Sequence, residues 1–187
     1  IPGYESVGRV VHALGTDQVH EGDFVFVPGA KCFGDIKGLF GGAASRVVIP
    51  EARVVKIPET LGERGVLLAL AATAHHVYSG DRRTQPDLII GHGVLGRLIV
   101  RLAVVAGHRP VVWETNETRR HGAAGYDVVD PSTDSRRDYK RICDVSGDSR
   151  ILDTLIARLS PGGEIALAGF YDDPLSFVFP PAFMREA

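Results

Sequence analysis

Three glycines near the middle of the chain are spaced like those of turns that hold phosphate groups. Gly91, Gly93 and Gly96 form the pattern G-x-G-x-x-G within the stretch PDLIIGHGVLGRLIVRL. In such a turn one glycine permits a sharp bend, one lets the backbone approach a pyrophosphate, and one lets a helix pack closely on a sheet. Because 22 of the 187 residues are glycine, the spacing alone is a weak signal. Its interpretation depends on the flanking elements.

The elements around the turn favour a nucleotide-binding site. Residues 87–90 form a short apolar run, as a buried parallel strand would, and apolar residues after the turn recur with the period of a helix. The N-terminus of such a helix offers unpaired N–H groups and a partial positive charge to phosphates. The residues predicted to bind a cofactor here are Gly91, His92, Gly93, Val94, Leu95 and Gly96. At His92 the backbone N–H is expected to matter more than the imidazole. The alternative is a glycine turn that binds no nucleotide.

An acidic residue at the end of the next apolar run indicates which dinucleotide would bind. The run PVVWE ends in Glu114, 18 residues after Gly96. A carboxylate there can accept hydrogen bonds from both hydroxyls of an adenine ribose, and it repels a 2′-phosphate. Cations nearby, at Arg119 and Arg120, would favour the 2′-phosphate. We weigh the carboxylate more heavily and expect NAD as the cofactor, with Glu114 as a binding residue.

Two sequence patterns indicate two domains that would position these residues. Up to about residue 58, short β-branched and aromatic runs alternate with turns, which predicts a small all-β region. From there onward, strand-like runs alternate with helical stretches, among them residues 115–123 and 149–159, which predicts βαβ units and a parallel sheet. The predicted fold class is therefore α/β. The boundary is expected near residue 60 and separates residues 1–60 from residues 61–187.

The composition excludes several classes of protein. A hydrophobic content of 44% and a charged content of 24% are typical of globular proteins, and a formal net charge of −2 provides no basic surface for nucleic acid. The two cysteines, Cys32 and Cys143, make neither a disulfide framework nor a metal cluster, which favours a cytoplasmic location. The longest apolar run, residues 65–74, is about half a membrane span. We expect no nucleic-acid partner and no transmembrane segment.

The order of several motifs resembles that of the medium-chain dehydrogenases and reductases. The opening PGYESVGRVVHALG resembles that family's GHE-x-x-G-x-V segment, GDFVFV its GD-x-V strand and TAHHVY its T-A-Y-x-A helix. DVSG (144–147) and LAGF (167–170) resemble its two loops near the nicotinamide. The resemblance implies a GroES-like β-rich catalytic domain followed by a Rossmann-type dinucleotide-binding domain. It adds Gly169 to the expected cofactor-binding residues and suggests that Tyr171 borders the nicotinamide or substrate pocket.

The chain departs from the zinc-dependent members of that family. Tyr4 stands where those members have a histidine ligand, a second ligand position falls near Ala69, and only Cys32 lies in the loop that corresponds to the structural zinc lobe. These positions do not supply the three or four ligands that zinc needs. We therefore expect no metal, and a side chain or a chain of waters must take the hydroxyl proton of an alcohol substrate. The predicted catalytic residues are Tyr4, Glu5 and His75.

A closer resemblance is to the dehydrogenases of bacteriochlorophyll biosynthesis that act on a 3-hydroxyethyl bacteriochlorophyllide. LIIGHGVLGRL and the C-terminal GGEIALAGFYDDPLSFVFPPAFMREA are its most distinctive parts. It implies NAD-dependent oxidation of a 3-(1-hydroxyethyl) group on a magnesium tetrapyrrole to a 3-acetyl group. It also implies that the chain is a fragment, without an N-terminal part of the catalytic domain and without the last strand of the nucleotide domain. A homodimer of the full-length protein and a peripheral position at the photosynthetic membrane are compatible with it.

Two other functions fit the same motifs. One is a zinc-free quinone or enoyl reductase of the same superfamily, which would prefer NADPH and is disfavoured by Glu114. The other is an NAD-binding domain that senses redox state without turnover. Turnover of a nicotinamide cofactor with a candidate substrate separates an enzyme from a sensor.

Overall fold

The computed structural model of the chain describes residues 3–15, 18–29, 42–79 and 85–187. Contacts within the chain group it into two compact units, Ile1–Ala69 and Leu70–Ala187. The boundary expected near residue 60 falls within a 3₁₀ helix, Glu59–Leu67, of the first unit. The division into residues 1–60 and 61–187 stays a prediction.

The first unit contains a three-stranded antiparallel sheet. Its strands are β1 (Ser6–Arg9), β2 (Phe24–Val27) and β3 (Val55–Lys56), with β2 in the middle. Val25, Phe26 and Val27 of β2 are buried, as expected for a central strand that packs on a core. Residues 44–50, one of the β-branched runs of the predicted all-β region, form no strand, and the glycine-rich segment of that region, residues 31–42, lies outside the described residues except for Gly42.

The second unit is built around a five-stranded parallel sheet. In chain order its elements are α1 (Leu68–Ser79, which begins at the end of the first unit), β4 (Leu88–Ile90), α2 (Val94–Val105), β5 (Val111–Trp113), β6 (Asp127–Val129), β7 (Tyr139–Asp144), α3 (Leu152–Ile156), β8 (Leu159–Leu167) and α4 (Phe179–Met184). The strand order is β6-β5-β4-β7-β8, and every pairing is parallel. The predicted α/β class with a Rossmann-type sheet is confirmed.

The central strand explains why this sequence forms a parallel sheet. All three residues of β4 are buried, and they alternate between two cores. Ile89 packs with residues of α2 such as Ile99, whereas Leu88 and Ile90 pack on the other face with residues such as Leu155 of α3. A strand that is covered on both faces needs apolar residues at every position, which is what the run LII supplies.

For two segments the predicted extent of the helix is wrong. Residues 115–123 form only a 3₁₀ turn, Glu117–Arg120, and Gly122 and Gly125 adopt positive φ angles of 80° and 81°. Within residues 149–159 the helix is restricted to α3, because β8 already begins at Leu159. In residues 115–123 the geometry of the turns overrides the local preference for a helix. In residues 149–159 pairing of β8 with the sheet does so.

Candidate functional site

The glycine turn lies at the carboxyl end of the central strand. The strand order reverses between β4 and β7, and ligands of open α/β sheets bind in the crevice at such a point. Gly91 has φ +99°, and a Cβ there would lie 3.2 Å from the Cα of Ser146, in the loop after β7. Its N–H donates to the carbonyl of Trp113 at 2.8 Å. The turn therefore bends sharply between the ends of β5 and β7, where a side chain would not fit.

The other two glycines differ in their surroundings. A Cβ at Gly96 would overlap the carbonyl oxygen of Gly91, so α2 packs on the turn only because this residue has no side chain. A Cβ at Gly93 would meet nothing within 4 Å, and Gly93 is exposed. Gly93 is also the N-cap of α2 and makes no side-chain capping bond, so the N–H groups of Val94 and Leu95 at the start of α2 have no side-chain cap from it. The turn thus has an open face at a helix N-terminus, which fits a pyrophosphate.

Glu114 is brought against the glycine turn. It is buried directly after β5, and its Oε2 accepts the backbone N–H of His92 at 3.0 Å. Its Oε1 accepts the N–H of Asn116 at 2.8 Å. The His92 N–H thus holds the carboxylate, and the cofactor-binding role expected of His92 stays a prediction. A fixed carboxylate beside an open helix N-terminus fits the ribose and pyrophosphate of a dinucleotide.

The imidazole of His92 is buried and makes two hydrogen bonds. Nδ1 lies 2.6 Å from the carbonyl oxygen of Arg119, and Nε2 lies 2.8 Å from the Tyr126 hydroxyl. A carbonyl can only accept, so Nδ1 carries the proton and Nε2 accepts from Tyr126. Burial lowers the pKa of His92 below its ordinary value, with the Arg119 carbonyl acting in the opposite direction. The ring is therefore neutral, and it ties the turn to the segment after Glu114.

The arginines near Glu114 are engaged within the protein. Arg97 donates from Nε to the carbonyl of His92 at 3.2 Å and from Nη2 to the carbonyl of Arg119 at 2.9 Å. Arg120 pairs with Asp130 at 2.7 Å. The Arg120 charge is thus compensated by a neighbouring carboxylate. This leaves Arg119, which is exposed, as the nearby cation with the most freedom to meet a phosphate.

The two loops at the ends of β7 and β8 lie against each other. Asp144 is fully buried, its Oδ1 accepts the N–H of Ser146 at 2.9 Å, and its Oδ2 accepts the hydroxyl of Tyr171 at 2.7 Å. A Cβ at Gly169 would lie 3.1 Å from that hydroxyl and 3.2 Å from the N atom of Gly147. Burial and the nearby Asp144 carboxylate raise the pKa of Tyr171 well above its usual range. The pair therefore holds both loops together through a protonated phenol.

A shallow polar cavity of about 480 Å³ lies beside these loops. It is lined by Ser146, Gly147, Asp148, Ser149, Arg150, Asp172 and Asp173. Asp148 accepts bonds from the backbone and side chain of Arg150, which lower the pKa of the carboxyl. The charges that line the cavity are thus partly compensated by one another.

The predicted catalytic residues lie in both units. Tyr4, which is exposed, and Glu5 precede β1 in the first unit, whereas His75 is exposed on α1 in the second. Their roles stay predictions. Among the described residues no group of three or more His, Cys, Asp or Glu side chains is arranged to hold a metal ion, and Cys32 lies outside those residues.

Sequence reasoning did not find two residues of this site. Tyr126 and Asp144 bond to residues 34 and 27 positions away along the chain, and spacing alone does not predict such contacts. The only signal for Asp144 was its place in DVSG after a strand-like run. Tyr126 had no signal beyond its place before an apolar run.

Comparison with curated sequences gives two similar proteins over the whole chain. Both are 2-desacetyl-2-hydroxyethyl bacteriochlorophyllide A dehydrogenases, from Cereibacter sphaeroides and Rhodobacter capsulatus, and both are 54% identical over 100% of the chain. The chain spans 61% and 60% of their lengths. A probable cinnamyl alcohol dehydrogenase of Zea mays is 31% identical over 75% of the chain and 42% of its own length. No protein-family model matches.

Solved structures show the same fold. The 2R,3R-butanediol dehydrogenase of Bacillus subtilis has a TM-score of 0.74 and 21% identity, covering 96% of the chain and 61% of that protein. The acetophenone reductase of Geotrichum candidum, in complex with NAD, has a TM-score of 0.70 and 20% identity over 96% of the chain and 62% of its own.

None of the helices in the described part of the chain has the length and apolar character needed to cross a membrane. The fold is that of alcohol dehydrogenases, with a glycine turn that fits a dinucleotide. Along its whole length the chain is 54% identical to two bacteriochlorophyllide dehydrogenases, and it shares the fold of the 2R,3R-butanediol dehydrogenase.

Proposed function

We propose that the protein oxidises the hydroxyethyl side chain of a bacteriochlorophyllide to an acetyl group, with NAD as the hydride acceptor and without zinc. The observation that carries this proposal is the 54% identity, along the whole chain, to two proteins named for that substrate. Relatives with other named alcohol substrates, such as L-threonine, are only about half as similar, at 30% identity. The substrate is therefore proposed as a magnesium tetrapyrrole.

The choice of NAD is supported by the position of Glu114. Its carboxylate is buried at the end of β5 and held by two backbone N–H groups. An adenine ribose placed in the crevice beside Gly93 would present its hydroxyls to this carboxylate. A 2′-phosphate would meet it as a like charge, which costs binding energy. Glu114 therefore favours NAD over NADP.

The residues of the turn bind and orient the cofactor in this proposal. Gly91, Gly93 and Gly96 let the backbone reach the pyrophosphate, with Val94 and Leu95 at the positive end of α2. Gly169 belongs to the loop that we assign to the nicotinamide side of the crevice. When bound, the nicotinamide ring accepts the hydride of the carbinol carbon.

The hydroxyl proton requires an acceptor among the side chains. We propose Tyr4, Glu5 and His75 as the candidates, because Tyr4 and Glu5 occupy the segment that carries a metal ligand in zinc-dependent relatives and His75 lies in the helix that follows. As the C–H bond breaks and the carbonyl forms, one of these groups takes the proton from the oxygen. The macrocycle is conjugated with the carbinol carbon and spreads the developing charge, which reduces the need for a metal.

The reaction itself is the first test. The purified protein is incubated with NAD and hydroxyethyl bacteriochlorophyllide, and NADH formation is measured together with the long-wavelength pigment band. Equal amounts of NADH and acetyl product are expected, with no loss of rate after treatment with a metal chelator. The control is the same mixture with NADP, which should react at a much lower kcat/KM.

Each other outcome identifies a different function. Binding of NADH without turnover of the pigment would indicate a redox sensor. Turnover of a quinone or enoyl substrate with NADPH would indicate a reductase. Loss of activity with the chelator, restored by zinc, would contradict the zinc-free reaction.

We also propose that the protein works in the cytoplasm, at the surface of the membrane that holds the pigment, and that it forms a homodimer. Sedimentation with pigment-containing vesicles tests the location. Light scattering of the purified protein tests the dimer.

A further inference from the structure

We propose that the imidazole of His92, braced by Tyr126, positions the Glu114 carboxylate and thereby sets the preference of the protein for NAD over NADP. This inference rests on the proposed binding of a nicotinamide dinucleotide at the glycine turn. His92 acts here through Glu114 and through the Arg119 segment, so it is a positioning residue. The role differs from that of the glycines, which give the backbone access to the pyrophosphate.

Every polar group of His92 is committed to a hydrogen bond. The N–H donates to Glu114, and the carbonyl accepts from Arg97. In the ring, Nδ1 donates to the carbonyl of Arg119 and Nε2 accepts from Tyr126. The residue is 1% exposed, and its ring meets that of Tyr126 edge to face, with centroids 5.6 Å apart. A residue fixed at four points in a buried site holds its own peptide plane in one orientation.

That peptide plane determines where the carboxylate lies. Glu114 Oε2 is held by the His92 N–H at 3.0 Å, and Oε1 by the N–H of Asn116 at 2.8 Å. Without the ring contacts, the turn between Gly91 and Gly93 gains conformational freedom. Gly93 does not restrain it, because no atom lies within 4 Å of the position that its Cβ would occupy. The carboxylate then loses a defined direction for its remaining lone pairs, which must accept the ribose hydroxyls.

The ring also restrains the cation that would favour NADP. The carbonyl of Arg119 receives two donors, His92 Nδ1 at 2.6 Å and Arg97 Nη2 at 2.9 Å. Both donors fix the backbone from which the exposed Arg119 guanidinium extends. Removal of one donor frees this segment, so the guanidinium can turn towards a 2′-phosphate. Loss of the His92 ring is therefore expected to weaken NADH binding and to strengthen NADPH binding.

The test measures dissociation constants for NADH and NADPH by isothermal titration calorimetry. Tyr126→Phe keeps the packing and removes only the partner of Nε2, and His92→Ala removes the whole ring. His92→Asn keeps an amide N–H at the place of Nδ1 and restores the bond to Arg119. The matched control is Tyr139→Phe, which removes another buried phenol hydroxyl, bonded to Asp134, from the opposite core.

The expected readout is the ratio of the NADPH and NADH dissociation constants. It falls about fivefold in Tyr126→Phe and more than about tenfold in His92→Ala, with His92→Asn between wild type and His92→Ala. Tyr139→Phe leaves the ratio unchanged even if it lowers stability. Tyr126→Phe keeps the test decisive if His92→Ala does not fold.

Three outcomes overturn the inference. An unchanged ratio in Tyr126→Phe and in the His92 variants shows that the carboxylate is positioned without the ring. An equal change in Tyr139→Phe shows that any loss of rigidity has the same effect. If the wild-type protein binds neither dinucleotide, the proposed function fails together with the inference, whereas NADH binding with an unchanged ratio overturns the inference alone.

Discussion

Glu114 is the side chain that we propose to distinguish NAD from NADP. It is buried, and both of its carboxylate oxygens already accept a backbone N–H. Each oxygen has a further lone pair, which gives the carboxylate capacity for the two hydroxyls of a ribose. Arg120, which would oppose this preference, is paired with Asp130 at 2.7 Å. With the Arg120 charge compensated, the balance of charge at the site depends on Glu114 and on the exposed Arg119.

The substitution Glu114→Ala tests this assignment. We expect kcat/KM with NAD to fall about 10- to 100-fold, because hydrogen bonds to a charged group are lost, while kcat/KM with NADP rises. The matched control is Glu117→Ala, which removes an exposed carboxylate from the 3₁₀ turn that follows. Steady-state rates with both cofactors provide the measurement. Equal losses with NAD and NADP would show that Glu114 does not select between them.

At the scale of elements, one strand, one turn and one helix form the centre of the proposed cofactor-binding crevice. Their residues were predictable from the sequence because the signals are local: an apolar run for β4, glycines at the turn and a helical period for α2. The segment after β5 was not predictable in the same way. Its carbonyl at Arg119 is drawn to His92 and Arg97, which are distant in sequence, so a 3₁₀ turn forms where helical propensity favoured a longer helix.

The contact between β4 and α2 leads to a paired prediction for two glycines. Gly96→Ala places a methyl group on the carbonyl of Gly91 and should lower the free energy of unfolding by about 1–3 kcal/mol or more. Gly93→Ala meets no atom within 4 Å, so stability should change by about 1 kcal/mol or less, whereas NADH affinity should fall. Urea unfolding followed by circular dichroism and calorimetric titration measure the two effects. A stable Gly96→Ala protein with unchanged affinity would contradict the packing described here.

At the scale of the whole molecule, two tyrosines link the stability of the second unit to pH. Tyr139 is 1% exposed, and burial together with the neighbouring Asp134 raises its pKa well above the ordinary 10.0. Tyr171 is raised by burial and by Asp144 in the same direction. Above about pH 10 an unfolded tyrosine loses its proton while the folded one keeps it, so the unfolded state is favoured.

We therefore expect the second unit to lose stability as the pH rises above 10.0, the ordinary pKa of both phenols. The slope contributed by Tyr139 is at most about 1.4 kcal/mol per pH unit. Unfolding in urea at several pH values between 8 and 11 (roughly the range that spans the unfolded phenol pKa) measures the slope. Tyr139→Phe should make it shallower, and Asp148→Asn, which changes an exposed-loop carboxylate, should not. An identical slope in Tyr139→Phe would contradict this linkage.

Trp113 is the single tryptophan of the chain, and it lies one residue before Glu114. Its indole is buried, donates to Asp134 at 2.7 Å and lies under the Arg158 guanidinium, 4.9 Å from the ring centroid. A rigid indole next to the carboxylate that we propose to bind the ribose emits light in the band that a reduced nicotinamide absorbs. The molecule thus contains its own optical reporter: a reduced dinucleotide bound in the proposed crevice would take up the emission of Trp113, and its binding can be followed without any added label.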